Sequence, residues 1–160
     1  MNEVNTVTGT QRAGKQLAEK IKGIPIATLT TLAADGPKGR PMATQGVEFD
    51  GDLYFFTNAS SQKVADIEQD ARVGLSYAAL EQGLFVEVSG AARISRDRAQ
   101  MKRFWQDDLR VWFPKGLEDP DLVMIKVEPE RAEYWQGPDP DASEAESKRE
   151  TENVKLLFHA

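Results

Sequence analysis

The sequence has no cysteine, and this absence removes several classes of site at once. Without thiols the chain has no disulfide framework, no thiolate nucleophile and no cysteine-held zinc or iron–sulfur centre. Its single histidine, His159, lies one residue before the end of the sequence. The domain therefore lacks the histidines that a histidine-rich metal site or a Ser-His-Asp triad requires. We therefore predict no metal site and no hydrolytic catalysis of these kinds.

Positive charge and long apolar runs are also scarce. The 26 acidic residues outnumber the 20 basic ones, which gives a net charge of −6 at pH 7. Such a chain is repelled by nucleic-acid backbones and anionic membranes, although a local basic pocket can still hold a small anion. No apolar run approaches the roughly 18 residues of a membrane-spanning helix, and the first residues lack the pattern of a secretory signal. We therefore expect a cytoplasmic protein that binds neither nucleic acid nor membranes.

The length of 160 residues fits one domain, since domains typically hold roughly 100–200 residues. Composition changes after residue 136, where the sequence GPDPDASEAESKRETEN is polar and acidic and has no aromatic residue. Segments of this kind bury too little apolar surface to fold alone. We predict a domain over residues 1–136 and an acidic, flexible C-terminal tail over residues 137–160, in which the closing VKLLFHA can fold back as a short element.

Hydrophobic periodicity divides the domain into short strands and a few helices. Apolar residues recur at helical spacing over residues 10–22, 58–70 and 95–109. Alternating or β-branched runs, bounded by Asp-Gly and other turn signals, predict strands at residues 24–32, 42–49, 52–57, 71–80, 84–94, 121–128 and 131–136. The connections between strands are short, which favours a mainly β (α+β) fold, an antiparallel barrel with flanking helices, over a parallel doubly wound sheet.

The segment NASSQK (58–63) ends a predicted strand and begins a predicted helix. Helix N-termini attract anions through unpaired N–H groups and the helix dipole, and the Ser61 hydroxyl and Lys63 ammonium would add direct bonds. This composition is typical of a phosphate site. The same residues also fit an ordinary capped helix with a solvated lysine.

A second candidate site lies where Arg40 and Pro41 open a predicted strand. Pro41 must lie where no ladder donor is required, at a strand start or edge. Alternation places Arg40, Met42 and Thr44 on one face. Arg40 can fork onto a phosphate, and the small Ala43 lets a flat ligand approach the backbone. A hairpin strand with an exposed arginine fits these residues equally well.

Trp112 is the third candidate because it lies in the loop sequence WFPKG, outside helical register. An aromatic side chain on such a loop covers a ring-shaped ligand or seals the end of a barrel, and the sequence favours neither. No pair of carboxylates stands out for general acid–base catalysis, since Glu48, Asp50 and Asp52 bracket a turn. We assign no catalytic residue, and any reaction would be carried by a bound cofactor.

The order of these motifs is more specific than any one of them. IATLTT, GRPM, LYFFTNASSQK, FVEVSG, WFPKG and AEYW follow one another within residues 10–136. This series resembles the pyridoxamine 5'-phosphate oxidase-like flavoproteins, and most closely their general stress protein branch. The resemblance implies an antiparallel split β-barrel of about six to seven strands. It also implies a homodimer that holds FMN at the subunit interface.

The resemblance further implies which residues bind the cofactor. They are Arg40, Ser61 and Lys63 for the phosphate, Pro41, Met42, Ala43 and Thr44 for the strand beneath the isoalloxazine ring, Phe56 and Thr57 for the neighbouring strand end, and Trp112, from the other subunit, beside the ring. The two separate candidate sites would then share one ligand. Its phosphate needs a cation and a helix start, and its ring needs an apolar wall with few polar groups.

Two departures from the family's pattern bear on activity. Pyridoxamine-phosphate oxidases proper carry an arginine immediately before that lysine, where this sequence has Gln62. They also follow the tryptophan near the end with a segment that contains arginine and histidine and holds the substrate, where this sequence has YWQGPDPDASEAE. The resemblance therefore implies FMN binding without oxidation of pyridoxamine phosphate.

The expected function is that of an FMN-binding general stress protein with flavin-dependent oxidoreductase activity on an unknown small substrate. The rival is a non-catalytic flavin-binding or stress-response module, which the scarcity of acids and bases fits equally well. A third alternative is FAD or the deazaflavin F420 in place of FMN, because a phosphate and ring site of this kind leaves the rest of the ligand open.

Overall fold

The computed structural model describes residues 4–46, 51–138 and 151–159, and eight strands and three α-helices lie within them. The strands are β1 (Val4–Thr8), β2 (Ile26–Ala33), β3 (Gly36–Ala43), β4 (Leu53–Asn58), β5 (Arg72–Ala79), β6 (Leu84–Ser95), β7 (Leu122–Gln136) and β8 (Glu152–Leu157). The helices are α1 (Thr10–Ile21), α2 (Gln62–Gln69) and α3 (Arg98–Phe104). None of the described helices has the length and apolar character of a membrane span.

These strands form one sheet that curls into a barrel. Its hydrogen-bonded order is β1-β8-β7-β6-β5-β2-β3, and β4 pairs with the first half of β7. β1 and β8 are parallel, and the other pairs in the described residues are antiparallel. Beyond the end of β3, the Gln45 amide donates to the Tyr54 carbonyl at 2.7 Å, so the chain after β3 meets β4 without a ladder between the two strands. The barrel is split at this point, and the predicted fold class is confirmed.

Alternating burial explains why these segments form strands. On β2 and β5 the inward side chains of Leu29 and Leu75 are fully buried, whereas the outward Thr28 is exposed. This period of two places one apolar face in the barrel core. Helix α1, which the sequence predicts correctly, adds Leu17 and Ile21 to the same core.

A second apolar cluster attaches α3 and the 3-10 turn Asp107–Val111 to the outside of β4 and β7. Its buried members are Tyr54, Phe56, Met101, Leu109, Leu122 and Met124. The rings of Tyr54 and Phe104 stack with their centroids 4.4 Å apart. β4 is therefore buried on both faces, and the cluster holds residues 109–113 beside the point where the barrel is split.

Two predicted boundaries are corrected by the local backbone. The strand predicted over residues 42–49 lies earlier, at β3, because the chain leaves the sheet after Ala43; residues 47–49 lie outside the described residues. The helix predicted over residues 95–109 ends at Phe104, because Trp105 is already extended and the following turn is 3-10.

β7 is one strand of 15 residues where the sequence predicts two, at residues 121–128 and 131–136. The first four residues of β7 are all buried, burial then alternates from Ile125 to Pro129, and the alternation resumes out of phase at Ala132. The register with β6 shifts between Ser89 and Gly90, as in a β-bulge, which inserts an extra residue into one strand of a pair. The alternation of apolar residues in β7 changes phase at this bulge, so the sequence pattern indicates two strands where the structure has one.

The predicted boundary after residue 136 is corrected by β8. This strand pairs with β7 from Gln136 to Arg131, and Val154, Leu156 and Phe158 are buried in the barrel core. Their spacing of two residues is that of a half-buried strand. Residues 152–158 therefore pack with the domain, which confirms that the closing VKLLFHA folds back and moves the domain boundary beyond residue 136; residues 139–150 lie outside the described residues.

Candidate functional site

A cleft of about 350 Å³ opens where the end of β3 approaches β4 and residues 109–113. It is lined by Ile26, Pro41, Met42, Ala43, Gln45, Phe56, Thr57, Asn58, Lys63, Leu109, Trp112 and Phe113. Lys63 is the one charged side chain in this described lining. The cleft thus combines a largely apolar and neutral wall with one cationic corner.

The cationic corner is built on the start of α2. Lys63 Nζ donates to Thr57 Oγ1 at 3.0 Å, and Thr57 Oγ1 lies 3.5 Å from Ser61 Oγ. Ser61 is the N-cap residue of α2, but its hydroxyl donates to the Asn58 carbonyl at 2.7 Å and caps no helix amide. The first amides of the helix therefore keep their capacity to bind an anion beside the ammonium.

Arg40 approaches this corner from β3. Its Nη1 donates to Thr31 Oγ1 at 2.8 Å, and its Nη2 lies 3.7 Å from Asp66 Oδ2 on α2. The Asp66 carboxylate also accepts from Thr31 Oγ1 and from Gln62 Nε2, both at 3.0 Å. A predominantly buried network therefore fixes the guanidinium next to the cleft rather than in its lining.

The electrostatics of the corner favour an anion. Burial lowers the pKa of Lys63, and the positive charge of Arg40 lowers it further. The pKa of Arg40 is lowered by burial, against the opposing effect of Asp66. Both cations are therefore held in a position that disfavours their charge, and a bound anion would relieve this cost.

The edge of β3 presents a backbone donor to the cleft, the N–H of Ala43, while the Ala43 carbonyl accepts from Gln45 Nε2 at 3.3 Å. The Thr44 amide donates to the Pro25 carbonyl at 3.0 Å, which continues the β2–β3 ladder one residue beyond Ala43. Hydrogen-bonded pairs alternate along an antiparallel ladder, so Ala43 turns its N–H and C=O away from β2. Pro41, two residues earlier, also turns its backbone nitrogen away from β2, so its missing N–H costs no hydrogen bond to that strand. Since β3 is the last strand on its side of the described sheet, the Ala43 N–H is a donor at the cleft wall.

The Thr44 side chain bonds to the barrel core rather than lining the cleft. Its hydroxyl lies 2.8 Å from the hydroxyl of Tyr77, a side chain that is 2% exposed. Burial raises the pKa of Tyr77 to about 12, so the phenol stays protonated and the bond persists over the physiological range. This bond fixes the chain immediately after Ala43, at the base of the cleft.

The outer wall of the cleft is aromatic and exposed. Trp112 is 76% exposed and follows the 3-10 turn that Leu109 anchors in the second cluster. Leu109, Trp112 and Phe113 all line the cleft. The chain's own Trp112 lines its own cleft, because the second cluster holds the turn there. Its expected place beside the ring from the other subunit stays a prediction.

Of the predicted cofactor-binding residues, the structure brings together at the cleft Pro41, Met42, Ala43, Phe56, Thr57, Lys63 and Trp112. Ser61 adjoins them through Thr57. The side chains of Arg40 and Thr44 lie outside the lining and bind Thr31 and Tyr77 instead.

Sequence reasoning missed the lining residues Ile26, Gln45, Asn58, Leu109 and Phe113. Asn58 opens the NASSQK segment, Gln45 follows Thr44, and Phe113 follows Trp112, so extending each motif by one residue would have found them. Ile26 carries no such signal, because its place depends on pairing with Ala43 across β2 and β3.

Residues 12–148 match the family model described as "Pyridoxamine 5'-phosphate oxidase like". The chain belongs to this family. Membership confirms the resemblance carried by the ordered motifs and agrees with the split barrel described above.

Individual relatives point to the general stress proteins. Protein bli-3 of Neurospora crassa is 33% identical over 104 residues, which cover 59% of this chain and 50% of that protein. General stress protein 26 of Bacillus subtilis is 31% identical over 98 residues, which cover 58% of this chain and 69% of the relative. The solved general stress FMN/FAD binding protein of Xanthomonas citri is 26% identical with a TM-score of 0.69, covering 84% of this chain and 94% of that one.

Proposed function

We propose that the cleft binds FMN and that the protein is a flavin-dependent oxidoreductase of a small molecule. The observation that carries the proposal is the junction of the cationic corner at Lys63 with an apolar wall and a free strand edge at Ala43. A phosphate monoester needs the first, and a planar ring system needs the second. The FMN/FAD binding for which the Xanthomonas citri relative is named supports the same class of ligand.

The residues present fit the two ends of FMN. Lys63, Ser61 and the first amides of α2 would hold the phosphate, and Arg40 would add positive charge from behind. Residues 41–43 would lie along the ring, with the Ala43 N–H as a donor to its polar atoms. FAD and F420 remain alternatives because both also combine a phosphate with a flavin-like ring.

The side chains of the cleft position a cofactor rather than act as acids or bases. FMN supplies hydride transfer when bound. Lys63, the one titratable group in the described lining, would be occupied by the phosphate. No second cation remains there for a phosphorylated substrate, which favours an unphosphorylated substrate over pyridoxamine phosphate.

The same lack of acids and bases favours a non-catalytic flavin-binding module as the second candidate. Anaerobic mixing with NADH or NADPH distinguishes the two functions, because an oxidoreductase would be reduced and its flavin absorbance bleached, whereas the flavin of a non-catalytic module would keep its colour.

FMN titrated into the protein is expected to bind saturably at one molecule per chain and to quench the fluorescence of Trp112. Riboflavin should bind at least tenfold more weakly, because it lacks the phosphate and its charge-assisted hydrogen bonds. Trp112→Phe is the matched control: it should lose most of the quenching signal while flavin fluorescence anisotropy still reports binding. Failure of FMN to saturate the protein would contradict the proposal.

We also propose that the protein is a homodimer that covers the mouth of the cleft. Three large apolar side chains are exposed there or beside it, Ile26 at 51%, Val111 at 79% and Trp112 at 76%. A cluster of this kind marks an interaction surface, and a second copy of the chain is the occupant that the family resemblance supports.

Light scattering at micromolar concentration is expected to give twice the mass of one chain. Val111→Asp should shift the protein towards the monomer, because it places a charge within an apolar contact. Leu80→Asp is the control, since Leu80 is similarly exposed at 76% but does not line the cleft. A monomeric wild-type protein, or equal effects of the two variants, would contradict this proposal.

A further inference from the structure

The cationic corner contains a buried carboxylate that flavin binding does not require. Asp66 is 5% exposed and lies on α2, three residues after Lys63. It accepts hydrogen bonds from Thr31 and Gln62 and lies 3.7 Å from Arg40 Nη2. A negative charge beside a phosphate site opposes the ligand, so Asp66 has an electrostatic effect in addition to holding Arg40 in place.

Asp66 sets the net charge that a phosphate meets. Arg40 and Lys63 influence one another electrostatically, and Asp66 is ion-paired with the first of them. The three groups together leave one net positive charge. Without the carboxylate, the corner would carry two.

This difference matters unequally for different phosphates. Above a pH of about 6 a phosphate monoester carries close to two negative charges on one phosphorus, whereas each phosphate of a pyrophosphate diester carries one. Coulomb energy is proportional to the product of the charges. A change of one unit in the corner therefore alters the Coulomb energy of the phosphate that faces it about twice as much for a monoester as for a pyrophosphate, whose second charge lies farther away on the next phosphorus.

We propose that Asp66 is a specificity-determining residue that lowers the preference of the site for a phosphate monoester, FMN, relative to a phosphodiester-linked flavin, FAD. The inference rests on the flavin binding proposed above. Its chemical content is that one buried negative charge reduces the advantage of the phosphate that carries more charge on one phosphorus.

Among the charged groups around Asp66, the Asp66 carboxylate is the negative charge that is paired with Arg40. On β3, Arg40 is paired with it and Lys38 acts on it from an exposed position. On β2 it meets the neutral Thr31. On α2 itself, Glu68 is ion-paired with Arg96, a residue just beyond the end of β6, with 3.7 Å between Glu68 Oε1 and Arg96 Nη2. The pKa of Asp66 is lowered from 3.8, first by the hydrogen bond from Gln62, so the carboxylate stays charged at pH 5.

The test compares dissociation constants of FMN and FAD for the full chain. Asp66→Asn is expected to raise the affinity ratio of FMN to FAD about fivefold at pH 8. Asp66→Ser removes the same charge and keeps a hydroxyl that can bond with Thr31 and Gln62, so it should shift the ratio in the same direction. Should Asp66→Asn fail to fold, Asp66→Ser carries the test. Asp70→Asn is the matched control, because it removes the same charge from an aspartate paired with Arg72 at the far end of α2.

The pH dependence separates an electrostatic role from a merely structural one. At pH 5 the FMN phosphate loses most of its second charge while Asp66 keeps its own, so the effect of Asp66→Asn on the ratio should largely disappear. Wild-type binding of both flavins with a ratio that neither variant changes would overturn the inference and leave the proposed function standing. Binding of neither flavin by the wild type would overturn both.

Discussion

Replacing Lys63 with alanine is expected to weaken FMN binding by about 1.5–3 kcal/mol, or roughly 10- to 150-fold in Kd. The ammonium is the one charge in the described lining of the cleft, and a hydrogen bond to a charged group contributes this much. Within the described residues the Lys63 side chain makes one hydrogen bond, to Thr57, so its loss should change folding little. Flavin anisotropy and thermal unfolding of the same sample measure the two effects.

Lys22→Ala is the matched control for this variant. Lys22 is an exposed lysine at the end of α1 and does not line the cleft, so the substitution removes the same charge without the proposed contact. Equal losses in the two variants would show that FMN responds only to the overall charge, and the phosphate assignment would then be wrong.

The pH dependence of FMN binding adds an independent check on Lys63. Burial and the charge of Arg40 lower its pKa below 10.5, and binding of a phosphate favours the protonated form. Affinity should therefore fall as the pH rises through this lowered pKa, at a lower pH than for an exposed lysine. In Lys63→Ala this alkaline loss should be absent.

The sequence predicts the positions of these residues where the signal is local. NASSQK places Ser61 and Lys63 at a strand-to-helix junction, and the structure has both there, with Ser61 as the N-cap residue of α2 and Lys63 in its first turn. Arg40 shows the limit of the same reasoning. Strand alternation gives the face on which Arg40 lies, but its guanidinium is directed by Thr31 and Asp66, which come from two other elements.

The aromatic wall depends on contacts between distant parts of the chain. Trp112 lies in a loop whose composition fits a ligand cover and a barrel seal alike. Its place is fixed when Leu109 joins Phe56 in the second cluster, more than fifty residues away along the sequence. The direction of the Ala43 N–H, away from β2, is likewise visible only once the register of β2 and β3 is known.

The register shift between β6 and β7 makes the single strand β7 look like two strands in the sequence, and it also requires glycine at position 90. Its first half pairs with β4 and its second half with β8, while β6 runs along both. The register shift opposite Gly90 lies between these halves. Close approach of the two strands there is what excludes a side chain at Gly90, since a Cβ would lie 2.3 Å from the Glu128 carbonyl oxygen.

Gly90→Ala is therefore expected to lower the free energy of unfolding by about 2–3 kcal/mol, since the backbone of two paired strands must move apart. Gly74→Ala is the matched control, because Gly74 lies on neighbouring β5, where a Cβ would meet the Val88 carbonyl oxygen at an ordinary 3.7 Å. That variant should stay within about 1 kcal/mol of the wild type. Urea unfolding followed by tryptophan fluorescence measures both, and equal stabilities would mean that the bulge relaxes without cost and does not hold the two halves of β7 in register.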